Sequence, residues 1–320
     1  MWYRPFPWLI VGAALVYALL PYFTDNIGLR ESLLLAAIYI ILASNLNLMI
    51  GYTGYVNFGN IVFFGLGGYV CLYLVNDFHW PVVFAAFAGG LAVSALALLF
   101  GLGILRLRGA FFALATIGVN QAIAQLVTNF EPWGGATGIY LSLDAYGPLG
   151  GPLQALWITY LLIVALMAAS LLLSYAIKNS KFGLGLLAIG QNEDAAAVLG
   201  VPTPLYKAMV YSTSAFLPAV AGGIYFFKSG IIEPTSAFNL QTSIEAIVMV
   251  MLGGAGTILG PALGAFLYEE LRGFLLTAAT FSQFQLVIAG VLLLLIVQFV
   301  PGGLMGLIYR RAPRMRKILE

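Results

Sequence analysis

Apolar runs about 20 residues long follow one another along almost the whole chain, each the length a helix needs to cross a bilayer. They predict about ten membrane helices, over about 8–24, 30–50, 57–75, 81–104, 109–129, 154–177, 207–228, 241–256, 258–277 and 284–301. The runs are continuous rather than alternating, which argues against the two-faced strands of a membrane barrel. Helices satisfy their own backbone groups in lipid, so the expected fold is an all-α polytopic membrane bundle. The first run ends in Pro21-Tyr22-Phe23 without a small-residue cleavage pattern, so it reads as a helix rather than a signal peptide. No stretch reads as a separate soluble unit, and residues 1–320 are expected to form a single domain.

Two polar, glycine-rich stretches interrupt this pattern, one in each half of the chain. The first runs from Gly51 to Asn60, GYTGYVNFGN, after Asn45 and Asn47; the second runs from Gly253 to Pro261, GGAGTILGP. Glycine lets helices approach closely in lipid. Glycine with asparagine also marks unwound helix, tolerated where it lines a cavity or is buried in protein, and such breaks recur in transporters built from repeats. A long polar loop over about 130–153 is too rich in Gly and Pro for one regular helix. It either meets an external partner or covers the bundle.

Composition agrees: 62% of residues are hydrophobic and 8% charged, with a mean hydropathy of +0.99. Soluble domains carry about 25% charged residues, so this chain could not coat a water-facing surface. The few charges orient it. With the N-terminus inside, Arg106, Arg108, Lys178, Lys181 and the basic tail from Arg310 to Lys317 fall on the cytoplasmic side. Asp25, Asp77, Glu131, Asp144 and Glu233 then fall outside, with Arg30 and Lys228 as exceptions near outer ends. Both termini are therefore expected in the cytoplasm, and the tail is read as a topology signal rather than a nucleic-acid site.

Enzyme chemistry finds little to stand on. One Cys and one His exclude an internal disulfide and a His-Glu-x-x-His zinc site, and no Gly-Lys pair exists to build a phosphate-binding P-loop. His79 reads as an interfacial loop residue. Charges inside spans are few: Glu245, and Glu269, Glu270 and Arg272, the first and last of these three spaced for a local ion pair. Charge in a bilayer is costly and must face protein or water, so Glu245 is a candidate pathway or gate residue. Asn45, Asn47, Thr53, Asn57, Asn60, Asn120 and Gln121 are candidates to line the same route or to bond across helices.

Between two of the longest runs lies a polar, helix-forming segment over about 181–200, SKFGLGLLAIGQNEDAAAVLGV with its flanks. Asn192 is placed to cap a helix through Ala195, and Gly200 with Pro202 to end it. The charge pattern puts this short amphipathic helix on the cytoplasmic side, suited to docking in a partner's groove.

Here the chain resembles a family. Asp194-Ala195-Ala196-Ala197-Val198-Leu199-Gly200 is similar to the EAAxxxG loop of ATP-binding-cassette (ABC) importer permeases. Phe182-Gly183, Ala188-Ile189 and Asn192 to Ala196 resemble the branched-chain amino acid permeases of the LivM type. So do Gly51 to Gly54 with Phe63-Phe64-Gly65, Ala221-Gly222-Gly223, and Ser243-Ile244 with Gly253 to Pro261. Leu184, Leu187 and Gly190 stand where the family usually has arginines, and Asn57 and Asn60 where it commonly has serine and histidine. The resemblance implies a coupling helix at Gly183, Asn192, Glu193, Asp194, Ala195, Ala196 and Gly200. It also implies a second permease, two ATPase subunits carrying ATP-Mg, an extracytoplasmic binding protein, and a place in the bacterial inner membrane. No cofactor is expected on this chain. Branched-chain or other apolar amino acids are the expected solute. Urea or short amides are the alternative, and an ion-coupled secondary transporter using Glu245 and Glu269 is the rival.

Overall fold

The computed structural model describes residues 6–24, 27–277, 287, 290–291 and 302–311. The chain is helical as expected. The helices are α1 (Phe6–Thr24), α2 (Ile27–Thr53), α3 (Asn60–Phe78), α4 (Val82–Ile104), α5 (Ala110–Thr128), α6 (Pro152–Lys178), α7 (Lys181–Gln191) and α8 (Glu193–Val198). There follow α9 (Thr203–Ser229), α10 (Pro234–Ala237), α11 (Leu240–Gly253), α12 (Gly260–Thr277) and α13 (Gly303–Arg311).

Among the described residues, 8 stretches are long and apolar enough to cross a membrane. Helix α12, which carries Glu269, Glu270 and Arg272, is not among them, and the tenth expected span, 284–301, lies outside the described residues but for 287 and 290–291. The outward faces of α1 and α4 are apolar, with Trp8, Leu15, Phe84 and Leu99 all exposed, and α5 exposes Phe111 and Leu126 at its two ends. This is the surface lipid requires. Helix α2 is the central pillar and buries residues such as Ile41, Ala43, Leu46 and Met49 completely.

Small residues set how closely the pillars pack. A Cβ on Gly67 of α3 would overlap the Ala219 carbonyl of α9, and one on Gly222 of α9 would overlap the Phe64 carbonyl. The two backbones therefore touch, as glycine allows in lipid. Gly253 and Gly264 play the same part between α11 and α12.

The outer loop is built of short 3-10 turns and one strand, β1 (Ile139–Tyr140), antiparallel to β2 (Ile231–Ile232) with Ile139 opposite Ile232. Asn76 Nδ2 donates to the Tyr140 carbonyl at 2.8 Å and Tyr146 Oη to that of Phe227 at 2.9 Å. The loop is thus tied down over the bundle. His79 is an exposed residue in the left-handed conformation (φ 54°) that ends α3. The two exceptions to the charge pattern are both held by partners: Lys228 pairs with Glu31, and Arg30 lies over the Trp157 ring at 4.9 Å.

The structure refines two expected spans. The 241–256 run belongs to a longer stretch, Pro234–Gly253, that is long and apolar enough to cross a membrane but is broken between α10 and α11. Its helix α11 has 14 residues, about 21 Å at 1.5 Å per residue, and begins inside the bundle after the single turn of α10. The 57–75 run likewise starts as non-helical chain over 54–59, and α3 begins only at Asn60.

Candidate functional site

The segment over 181–200 is two helices rather than one, because the chain turns extended at Asn192 (φ −160°, ψ 110°). Asn192 Oδ1 accepts from the Ala195 amide at 3.0 Å, the cap its position suggested. Gly183 lies in the first turn of α7, where its amide donates to Ser180 Oγ at 3.0 Å and a Cβ would overlap the Ile177 carbonyl. Gly200 (φ +89°) closes α8 in the left-handed region. Ala196 is buried against the bundle, whereas Val198 and Leu199 are 89% and 81% exposed.

The acidic pair at the start of α8 binds three side chains from other elements, Glu193 partly buried and Asp194 at the surface. Glu193 accepts from Lys207 Nζ at 2.7 Å and from Tyr55 Oη at 2.7 Å. Asp194 takes both terminal nitrogens of Arg108, at 2.9 and 3.2 Å. Lys207 is itself buried at the start of α9 and also donates to the Leu105 carbonyl at 2.6 Å. Burial pushes the Glu193 carboxyl up, but hydrogen bonds from Lys207 and Tyr55 and the charges of Lys207 and Arg108 more than offset this and hold it below the ordinary carboxylate range. The Arg108 hydrogen bonds and charge depress Asp194, and the same contacts raise Arg108. Tyr55 and Arg108 were not singled out as site residues from sequence. The usable signal was Lys207: a lysine opening an apolar span needs a partner.

The two glycine-rich stretches meet. A Cβ on Gly51 would overlap the Gly256 amide, and Asn47, one turn earlier in α2, donates to the Thr257 carbonyl at 2.9 Å and accepts from the Gly256 amide at 2.8 Å. Thr53 Oγ1 donates to the Met49 carbonyl at 2.7 Å in the last turn of α2. Asn45 instead ties α2 to α6, donating to Ser170 Oγ at 2.7 Å.

Deeper in the bundle the 54–59 stretch meets α5, and the first turn of α3 meets that of α11. The Phe58 amide donates to Thr116 Oγ1 at 3.1 Å, and the Ile61 amide to Ser243 Oγ at 3.0 Å. Asn120 Nδ2 donates to the Phe238 carbonyl at 3.1 Å, and Asn57 Oδ1 accepts from the Gly59 amide at 2.9 Å. Thr116 and Asn120 lie about 9 and 15 Å along α5 from its start, so this junction sits toward the middle of a ~30 Å hydrocarbon core. Asn57, Asn60 and Asn120 are all buried there. Gln121, by contrast, is exposed on the outward face of α5 with Gly118 and Gln125.

Glu245 is buried and accepts from Tyr39 Oη at 3.1 Å and from Gln241 Nε2 at 2.9 Å. Arg272 donates to the same Tyr39 oxygen at 3.0 Å and to Glu269 at 3.3 Å, so the i,i+3 pair forms. Glu245 is thus one member of a hydrogen-bonded network across α2, α11 and α12, in which both of its carboxylate oxygens are engaged.

Residues 28–297 match the family described as "Branched-chain amino acid transport system / permease component". The chain is 26% identical to the high-affinity branched-chain amino acid transport system permease protein LivM of Escherichia coli (strain K12), over 93% of this chain and 74% of that protein. The ribose import permease protein RbsC of Bacillus subtilis (strain 168) is 28% identical over 58% of this chain and 56% of its own length. The autoinducer 2 import system permease protein LsrC of Yersinia pseudotuberculosis serotype O:3 (strain YPIII) is 28% identical over 61% of this chain and 54% of its own. No solved structure matches. A match over most of the chain, carried by a helical membrane bundle, places this protein in the family of ABC importer permease components that includes those of branched-chain amino acid systems.

Proposed function

We propose that this chain is the permease subunit of an ABC importer for branched-chain or other apolar amino acids, driven by separate ATPase subunits through α7 and α8. The observation that carries the coupling role is the division of α8. Its first turn is locked to the bundle through Glu193 and Asp194, while Val198 and Leu199 stand free of it, more than four-fifths exposed. Large apolar side chains exposed on a short polar helix mark a surface that a protein partner covers. Motion of that partner would reach the pathway directly. Tyr55, held by Glu193, is two residues from Asn57 in the same non-helical stretch.

The amino acid solute rests on the match to LivM over 93% of the chain; the matches to ribose and autoinducer 2 permeases are shorter. Urea and short amides are the second choice. The ion-coupled rival needs a carboxylate free to exchange protons, whereas Glu245 and Glu269 are engaged by Tyr39, Gln241 and Arg272. The remaining partners follow the family: a second permease, two ATPases with ATP-Mg, and an extracytoplasmic binding protein, in the bacterial plasma membrane. The exposed Gly118, Gln121 and Gln125 of α5 favour a protein neighbour over lipid on that face.

The test is co-purification from native membrane. Val198→Glu with Leu199→Glu is expected to release the ATPase subunits while the permease itself stays folded. An intact complex with solute-stimulated ATP hydrolysis would place the docking surface elsewhere.

A further inference from the structure

The first turns of α3 and α11 meet: the Ile61 amide of α3 bonds Ser243 Oγ of α11, one turn beyond the Asn239 cap of that helix. The helices have 19 and 14 residues, so each brings the positive end of a full helix dipole to this point. Three asparagines at the junction are at most 1% exposed and incompletely bonded. Asn57 Nδ2, a donor, and Asn60 Oδ1 and Asn120 Oδ1, both acceptors, have no hydrogen-bond partner. Buried polar groups are normally paired, and three lapses in one place need a reason.

A cavity of about 300 Å³, the lower end of the ligand-pocket range, reaches the same junction, with Ile61 of α3 and Thr242 of α11 in its wall. Its other walls are mostly apolar, formed by Leu35, Ile38, Leu42 and Phe64 among others.

We infer that the junction is a transient seat for the head group of a zwitterionic aliphatic amino acid, with the cavity taking its side chain. Asn57 Nδ2 and the two helix N-termini serve the carboxylate. Asn60 Oδ1 and Asn120 Oδ1 serve the ammonium group. Urea or a short amide matches the donors and acceptors but leaves the apolar cavity and the paired dipoles without use. The seat rests on the amino acid importer reading above and assigns the solute-contacting groups within it.

The experiment is uptake of radiolabelled leucine by the whole importer, with its ATPases, second permease and binding protein, in proteoliposomes. Asn57→Asp, isosteric, sets an anion where the carboxylate is to lie and is expected to cut uptake about tenfold. Asn60→Leu removes an acceptor and is expected to cost about as much, while Asn60→Asp, which keeps an acceptor oxygen, returns uptake to within about threefold of wild type. If Asn60→Leu does not assemble, the two Asp variants decide. Uptake undiminished by Asn57→Asp, or equal losses in the two Asp variants, would overturn the seat and leave the importer reading standing. Wild-type vesicles that import urea or acetamide but no leucine would overturn the amino acid reading itself.

Discussion

The inner cluster of Tyr55, Arg108, Glu193, Asp194 and Lys207 and the mid-bundle group of Asn57, Asn60 and Asn120 are connected by one short stretch of chain, yet they are built to opposite rules. In the first, Glu193, Asp194 and Lys207 all have charged partners within 3 Å, and burial is compensated by ion pairs. In the second the groups are neutral, more deeply enclosed and left with unbonded donors and acceptors. A saturated cluster has one preferred geometry and transmits force. An unsaturated one has bonding capacity to spare and can receive a ligand. The two sit on either side of Val56, so a rigid lever and a polar seat share a backbone.

The contrast can be broken most strongly at Glu193. Glu193→Leu leaves Lys207 buried without its carboxylate and is expected to destabilise the detergent-purified protein by about 3 kcal/mol. Pairing it with Lys207→Met should recover most of that loss, read as melting temperatures in a double-mutant cycle. Asn60→Ala, in the unsaturated group, removes an unbonded acceptor and should change stability by less than about 1 kcal/mol despite complete burial. If it destabilises as much as Glu193→Leu, the group is structural cement and the contrast fails.

A smaller effect follows from acidity. The folded-state pKa of Glu193 is depressed, so its contribution is complete above the ordinary carboxylate pKa and is lost as pH falls through the lower folded value. The difference in melting temperature between wild type and Glu193→Gln should therefore hold at neutral pH and shrink below about pH 4. Smallest of all, Arg108→Ala should leave the melting temperature within scatter, because the Arg108–Asp194 pair is largely exposed and screened by solvent. A large loss there would move the anchor of α8 from Lys207 to Arg108.

The expected elements that rest on local pattern survive in the structure, and those that fail do so for one reason. Asn192 caps α8 and Gly200 ends it because a cap and a left-handed terminus depend on residues within a turn. The Glu269–Arg272 pair forms because i,i+3 spacing dictates it. Hydropathy placed α2, α4, α5 and α6 within a few residues. It placed the starts of α3 and α11 within a few residues too, but did not separate the single turn of α10 from α11, because apolar chain reads the same whether it is continuous or broken inside a protein.

What the sequence determined alone is the class of solvent and the period of the chain: runs long enough to cross lipid, too few charges for water, and local caps that punctuate helices. What only the tertiary structure decided is which isolated polar groups meet. Tyr55 and Glu193 are 138 residues apart, Ile61 and Ser243 182 apart, and Asn47 and Gly256 209 apart. Single polar residues within apolar helices carry no periodic signal of a distant partner. The pairing is selected by the high cost of an unbonded polar group in a low-dielectric interior, and that cost acts only once the helices have packed.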